Sequence, residues 1–345
     1  MVAVEATGRA EAPPGARAGR RASRWLVATG AVLLVGAFGP LAAAWATYVL
    51  GTRKTGSPLV GALAAGLVST APAFGALAGQ ALPYVTSYSL FALGLLLLDQ
   101  TRVLDAARPV RTLALVGFGA GVSLLFYDLY MLPAFVLVYG VLRRAPWTHV
   151  LLLAGLTLAP RLLWSGYWQA MHLPSYSHNE QHPIEALFAW FDTARTGVGP
   201  LEKLKGYAFL AAHGALNIGA AFQFWPIALG AWELWNRRRS PEAAWFVAVL
   251  VAGFAPALFM LSTWPHIPRW YVYGFPAVYV LAAGAAVRLA SRLTTQQPTW
   301  VASVAVALLV VLPAVVLANL DVLGYTKLTE LLLFQPANWS YLWSR

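Results

Sequence analysis

The chain has 345 residues, of which 59% are hydrophobic and 11% charged, with a mean hydropathy of +0.63. Soluble domains carry about 25% charged residues, so the composition excludes an ordinary soluble fold. The formal net charge is +11 and cysteine is absent, which removes disulfides, thiolate metal sites and cysteine nucleophiles together.

Residues 1–23 form a basic segment rich in Ala, Gly, Pro and Arg, with Arg20 and Arg21 near its end and Arg24 just after it, and are expected to lie outside the folded part. The apolar stretch Trp25 to Leu50 exceeds the roughly 7–15 residues of a signal-peptide core. It reads as a retained span, although Ala44, Trp45 and Ala46 have the form of a cleavage site. Further apolar blocks bounded by breakers fall near 59–79, 82–98, 111–126, 129–142, 147–166, 206–235, 243–262, 271–290 and 299–320. Several approach the roughly 20 residues that cross a bilayer. Lipid offers backbone groups no partners, so such blocks must be helical. The fold class expected is all-α: a polytopic integral membrane protein of about nine to ten spans. The helical domain would run over 24–323, with an outer loop at 167–205 and an outer-side tail at 324–345.

Lys and Arg sort by loop. Those at 51–58, 99–111, 143–147, 236–242 and 288–298 hold Arg53, Lys54, Arg102, Arg108, Arg111, Arg143, Arg144, Arg237, Arg238, Arg239, Arg288 and Arg292. The alternate loops at 80–88, 127–128 and 263–270 add Arg269 alone. The positive-inside rule makes the first set cytoplasmic. Asp128, Glu180, Glu185, Asp192, Glu202, Asp321 and Glu330 then fall on the outer side with the 167–205 loop. A single span at 25–50 would leave the basic N-terminus outside, against the same rule. Either Gly36 to Pro40 breaks that run into a hairpin, or the protein begins upstream. Basic clusters placed between spans are topological signals, and nucleic acid is not an expected partner.

Polar groups at span ends are the candidates for chemistry. Asp128, between Tyr127 and Tyr130, suits a half-buried general base on an acceptor hydroxyl, or an ordinary helix cap. Arg161 stands inside the apolar run Leu156 to Trp164; an ionisable group there faces a cavity or a partner, or snorkels to the interface. Arg269, with His266 nearby in the stretch Pro265 to Tyr271, suits a bidentate grip on a lipid-linked phosphate, or snorkelling beside an aromatic belt. The outer loop supplies His172, His178, Glu180, His182, Glu185 and Asp192. His178 and His182 have the spacing of paired metal ligands, but Pro183 follows at once and the glutamate is not where a zincin places it. No metal site or cofactor is therefore expected, and a divalent metal has no support. His213 and Asn217 share a helix face four residues apart, a pattern that interhelical hydrogen bonding explains. Gly75/Gly79 and Gly117/Gly121 have the spacing of close helix packing.

Three stretches in order carry a resemblance. They are Tyr48 to Lys54 followed by Leu59 to Pro72; Gly117 to Phe126 followed by Leu132, Pro133 and a run to Arg144; and His266 to Pro276 leading into Tyr279 to Gly284. Their order over residues 40–290 resembles the GT-C class of membrane glycosyltransferases, of the protein-mannosyl and aminoarabinose transferase type. The resemblance implies transfer of a sugar from a polyprenyl-phosphate donor to an acceptor on the outer face of a bacterial inner membrane. It assigns donor phosphate to Arg269; Arg161 is a second candidate for the same phosphate, from its place inside an apolar run. The stretch 25–50 corresponds to the second span of that class, and its first span and acid-bearing outer loop have no counterpart here. The acid would be Asp128 or Asp192, with Glu180, His266, His213 and Asn217 as further polar candidates. A non-catalytic subunit of a larger membrane complex is the alternative, and a transporter the third reading.

Overall fold

The computed structural model describes residues 39–71, 82–104, 109–126, 130–172, 225–260 and 272–293, with single positions 199, 201, 204, 300 and 304. Among the described residues the regular structure is helical throughout, without strands. The helices are α1 (39–55), α2 (Pro58–Thr70), α3 (Leu82–Thr101), α4 (Val110–Gly121), α5 (Met131–Leu142), α6 (Trp147–Ala170), α7 (Trp225–Arg237), α8 (Ala243–Met260) and α9 (Phe275–Leu293). Short 3-10 turns, Val122–Leu125 and Val272–Gly274, extend α4 and precede α9.

Local chemistry sets these boundaries. Gly56 has φ +71 and turns the chain between α1 and α2, a conformation glycine adopts without a Cβ penalty. Ser57 then caps α2 by accepting from the Val60 N–H, and Pro58 occupies its first turn, where a missing N–H costs nothing. Helix α6 runs four residues past the expected boundary at 166. Its last turns carry a ladder of rings, Trp164 lying 5.9 Å from Tyr167 and 5.6 Å from Trp168. The expected span at 206–235 is described only from Trp225, and the stretches 25–38 and 305–320 lie outside the described residues.

Helix α9 is the axis of the bundle. Every residue from Tyr273 to Ala286 is buried, as an element that is apolar all round requires. It packs on α2, α7 and α8; α8 packs on α5, α5 on α6, α6 on α4, and α4 on α3. Small residues permit the closest crossings. A Cβ on Gly61 would meet the Tyr48 carbonyl oxygen at 2.5 Å, and one on Gly121 would meet the Thr157 carbonyl oxygen at 2.1 Å. Gly117 lies against Leu153 and Leu156, so the Gly117/Gly121 pair serves packing. Gly75 and Gly79 lie outside the described residues.

Helix α6 forms the edge. It is the one described helix long and apolar enough to cross a membrane, and only 28% of its apolar stretch is buried. Leu151, Leu162, Leu163, Trp164 and Tyr167 are exposed along it. Shorter apolar helices span Pro58–Thr70, Val110–Leu125, Met131–Leu142 and Ala243–Phe254.

Candidate functional site

The helices alternate in direction, and side-chain contacts tie their ends into two groups. At one end Arg53 and Lys54 of α1 pair with Asp99 of α3, and Lys54 also reaches Glu242 in the α7–α8 turn. Gly140 packs on Val150 there, joining α5 to α6, and Glu233 joins the last turns of α7 and α9 through Arg288. The turns that carry most of the basic residues therefore gather at one end of the bundle, here called the basic end.

At the opposite end the Ser89 hydroxyl donates to the Gly39 carbonyl at 2.6 Å, and the Ser87 and Tyr273 hydroxyls lie 2.7 Å apart. Tyr273 also makes edge contacts with Phe91 at 5.2 Å and Tyr88 at 6.2 Å. This buried aromatic knot seats the start of α9, the described part of the third resembling stretch.

Of the candidate residues, Arg161 is described. It is exposed on α6 and follows Pro160, and it makes no ion pair among the described residues. From Arg161 to His172 no residue is buried. Asp128, Glu180, Asp192, His213, Asn217, His266 and Arg269 lie outside the described residues, as do His178 and His182. The described ends that flank them are Phe126 and Tyr130, His172, and Met260 and Val272. By the helix directions, these described flanking ends belong to the end opposite the basic turns.

Two charged constellations at the basic end did not come from the sequence reading. The first surrounds Lys54, whose side chain is 8% exposed. Its ammonium contacts Asp99 Oδ1, lies 3.1 Å from Glu242 Oε2, and sits 5.2 Å from the Trp245 ring centre. Arg53 Nε donates to Asp99 Oδ2 at 2.8 Å. A lysine this deep needs such partners, because an unpaired buried charge costs several kcal/mol, roughly. These groups line a cleft of about 410 Å³ with Arg102, Tyr139, Arg143 and Pro241. A smaller apolar slot beside it shares Asp99, Arg102 and Tyr139, and adds Leu98, Leu104, Phe135 and Trp245.

The second constellation centres on Glu233, which is fully buried. Arg288 grips its carboxylate with both Nε and Nη2, at 2.9 and 2.8 Å, and Arg237 Nε donates from one turn further along α7. The bidentate geometry is the strong form of this pairing. Gly284 faces the carboxylate; a Cβ there would lie 3.5 Å from Glu233 Oε1. Arg292 rests over Trp232 at 5.8 Å. Chemically this is a clamp between α7 and α9, with both carboxylate oxygens occupied.

The signal for these acids was present in the sequence. Asp99 ends the run Leu95 to Leu98, and Glu233 is flanked by Trp232 and Leu234; an acid embedded in apolar sequence implies a partner. No protein-family model matches the chain, and no characterised protein or solved structure does.

Proposed function

We propose that the chain is a multi-span protein of a bacterial inner membrane, with its basic end in the cytoplasm and a GT-C-like transferase site at the opposite, outer face. The membrane reading rests first on α6. A long apolar helix in the core of a soluble protein is mostly buried, whereas α6 leaves most of its apolar stretch uncovered. Its place in mid-chain also separates it from a signal sequence. Clustering of the basic turns at one end is the pattern the positive-inside rule produces.

The observation that carries the transferase reading is where the helix ends lie. The described residues flanking Asp128, the Glu180 and Asp192 loop, and the His266 and Arg269 stretch all belong to the end away from the basic turns. This arrangement supports a shared outer cavity in which Arg269 and Arg161 bind the donor phosphate. An acid, Asp128 or Asp192, takes the proton from the acceptor hydroxyl as that oxygen attacks the sugar. The polyprenyl phosphate leaves with the bonding electrons. Positioning and general base catalysis would account for the rate.

Purified chain in lipid vesicles, supplied with a polyprenyl-phosphate sugar and lipid or peptide acceptors, tests the reading. Sugar transfer that falls about a hundredfold or more in Asp128→Asn and in Arg269→Gln supports it. Absence of transfer across donors, or transfer indifferent to both substitutions, overturns it.

The outer half of α6 favours a second reading, a non-catalytic subunit of a membrane complex. Arg161 stands on a surface whose neighbours Leu162 and Leu163 are each 64% exposed. A cation facing lipid is costly unless a partner or an interface meets it. Stoichiometric co-purification with another membrane protein, lost in Arg161→Leu, would select this reading.

A further inference from the structure

We infer that the basic ends of α7 and α9 form a docking surface for an anionic phospholipid of the cytoplasmic leaflet, contacted by Arg238, Arg239 and Arg292. This rests on the membrane part of the proposed function and not on the transferase part. Five arginines gather there: Arg237, Arg238 and Arg239 at and just after the end of α7, and Arg288 and Arg292 near the end of α9. Among the described residues Glu233 is the acid that faces them, and Arg288 and Arg237 already hold it. The next acid along the chain, Glu242, is engaged by Lys54. Five cations to one carboxylate leave a net charge of +4. Most of that charge falls to Arg238, Arg239 and Arg292, all three exposed.

The positive-inside rule accounts for charge in such a turn; it does not call for aromatic partners. Here the Arg238 guanidinium lies 4.4 Å from the Trp235 ring centre and donates through Nη1 to the Trp235 carbonyl at 2.8 Å. Arg292 lies over Trp232 at 5.8 Å. A guanidinium already held against a ring loses less freedom on binding, and its planar fork suits a bidentate grip on phosphate. The Trp235 side chain is 66% exposed, at the level where an amphipathic ring sits among headgroups. Trp147, 59% exposed, stands at the same end as the first residue of α6. In the packing order α6 and α7 are separated by α5 and α8. A continuous bilayer surface would meet the rings on both helices, which one bound acidic peptide would not. Charge and ring placement together favour the phosphate of an anionic headgroup, the ligand that juxtamembrane arginine clusters attract.

The full chain in detergent, titrated separately with short-chain phosphatidylglycerol, short-chain phosphatidylcholine and a glutamate-rich peptide, tests the inference. Phosphatidylglycerol should bind more tightly than phosphatidylcholine. Arg238→Gln, Arg239→Gln and Arg292→Gln should each weaken its binding about fivefold. The three side chains are exposed, so these substitutions leave the fold intact, which the elution profile checks. Arg111→Gln removes the same charge from the start of α4, which packs on α3 and α6, and should leave affinity unchanged. That pattern supports the surface. Equal affinity for the two lipids, or an equal loss in Arg111→Gln, overturns it. Arginine-dependent binding of the peptide that is tighter than that of phosphatidylglycerol also overturns it, and assigns the surface to an acidic protein. A chain that stays in solution without detergent would overturn the membrane reading and this inference with it. A chain that needs detergent yet ignores headgroup charge overturns this inference alone.

Discussion

Replacing Gly121 by alanine tests the closest helix crossing in the bundle. An added Cβ would lie 2.1 Å from the Thr157 carbonyl oxygen, 2.8 Å from its carbon and 3.0 Å from its Cα. All three are backbone atoms of α6, so no side chain can turn aside and the helices must separate by about 1 Å to reach ordinary contact. Overpacking of a tight interior costs about 1–3 kcal/mol, and rigid backbone on the far side places this case near 3 kcal/mol. Alanine recovers up to about 1 kcal/mol over glycine in a helix, leaving a net loss of about 2 kcal/mol. Gly155→Ala is the internal control. It lies on the same α6, and nothing stands within 4 Å of its added Cβ, so it should be neutral or gain up to about 1 kcal/mol. Unfolding of the purified protein in mixed detergent micelles, titrated with a denaturing detergent, reads both. A gap of about 3 kcal/mol between the variants is expected. Equal stability would refute the α4–α6 contact.

Glu233→Gln strips two arginines of a fully buried carboxylate and should cost about 3 kcal/mol in the same assay; Arg237→Ala should cost less, because Arg288 keeps its two-point grip. Asp99→Asn leaves the buried Lys54 with one partner and should also cost about 3 kcal/mol. Glu242, with a side chain 39% exposed, should lose under about 1 kcal/mol as Glu242→Gln. If Asp99→Asn and Glu242→Gln were equally mild, the Lys54 network would not hold the basic end together.

Composition and apolar runs made the helical class legible, and breakers such as Pro58 and Pro146 marked helix starts to within a residue or two. Every second turn along the chain falls at the same end because successive helices alternate in direction, and desolvation keeps lysine and arginine in turns rather than in apolar runs. Partners distant in sequence were not legible. Glu233 and Arg237 are four apart and readable as a helix pair, but Arg288 stands 55 positions away and only the α7–α9 packing brings it in. Lys54, Asp99 and Glu242 belong to three separate turns, and their meeting depends on how α1, α3 and α8 are arranged around α9. Polarity at span ends names catalytic candidates without giving their mutual distances. Arg161 shows the limit: its place in an apolar run fits a charge facing a cavity or partner and a charge snorkelling to the interface alike, and the side chain lies exposed on the edge helix.

The central claim is that the basic turns face the cytoplasm and the opposite helix ends face outward. The absence of native cysteine allows single exposed positions to be replaced without background. Arg144→Cys and Arg239→Cys at the basic end, and Tyr130→Cys and His172→Cys at the other, would each be treated in intact cells with a membrane-impermeant thiol reagent. The account predicts labelling of the variants at 130 and 172, with those at 144 and 239 protected until the membrane is opened. Labelling of either basic-end variant in intact cells, or of all four alike, would contradict it.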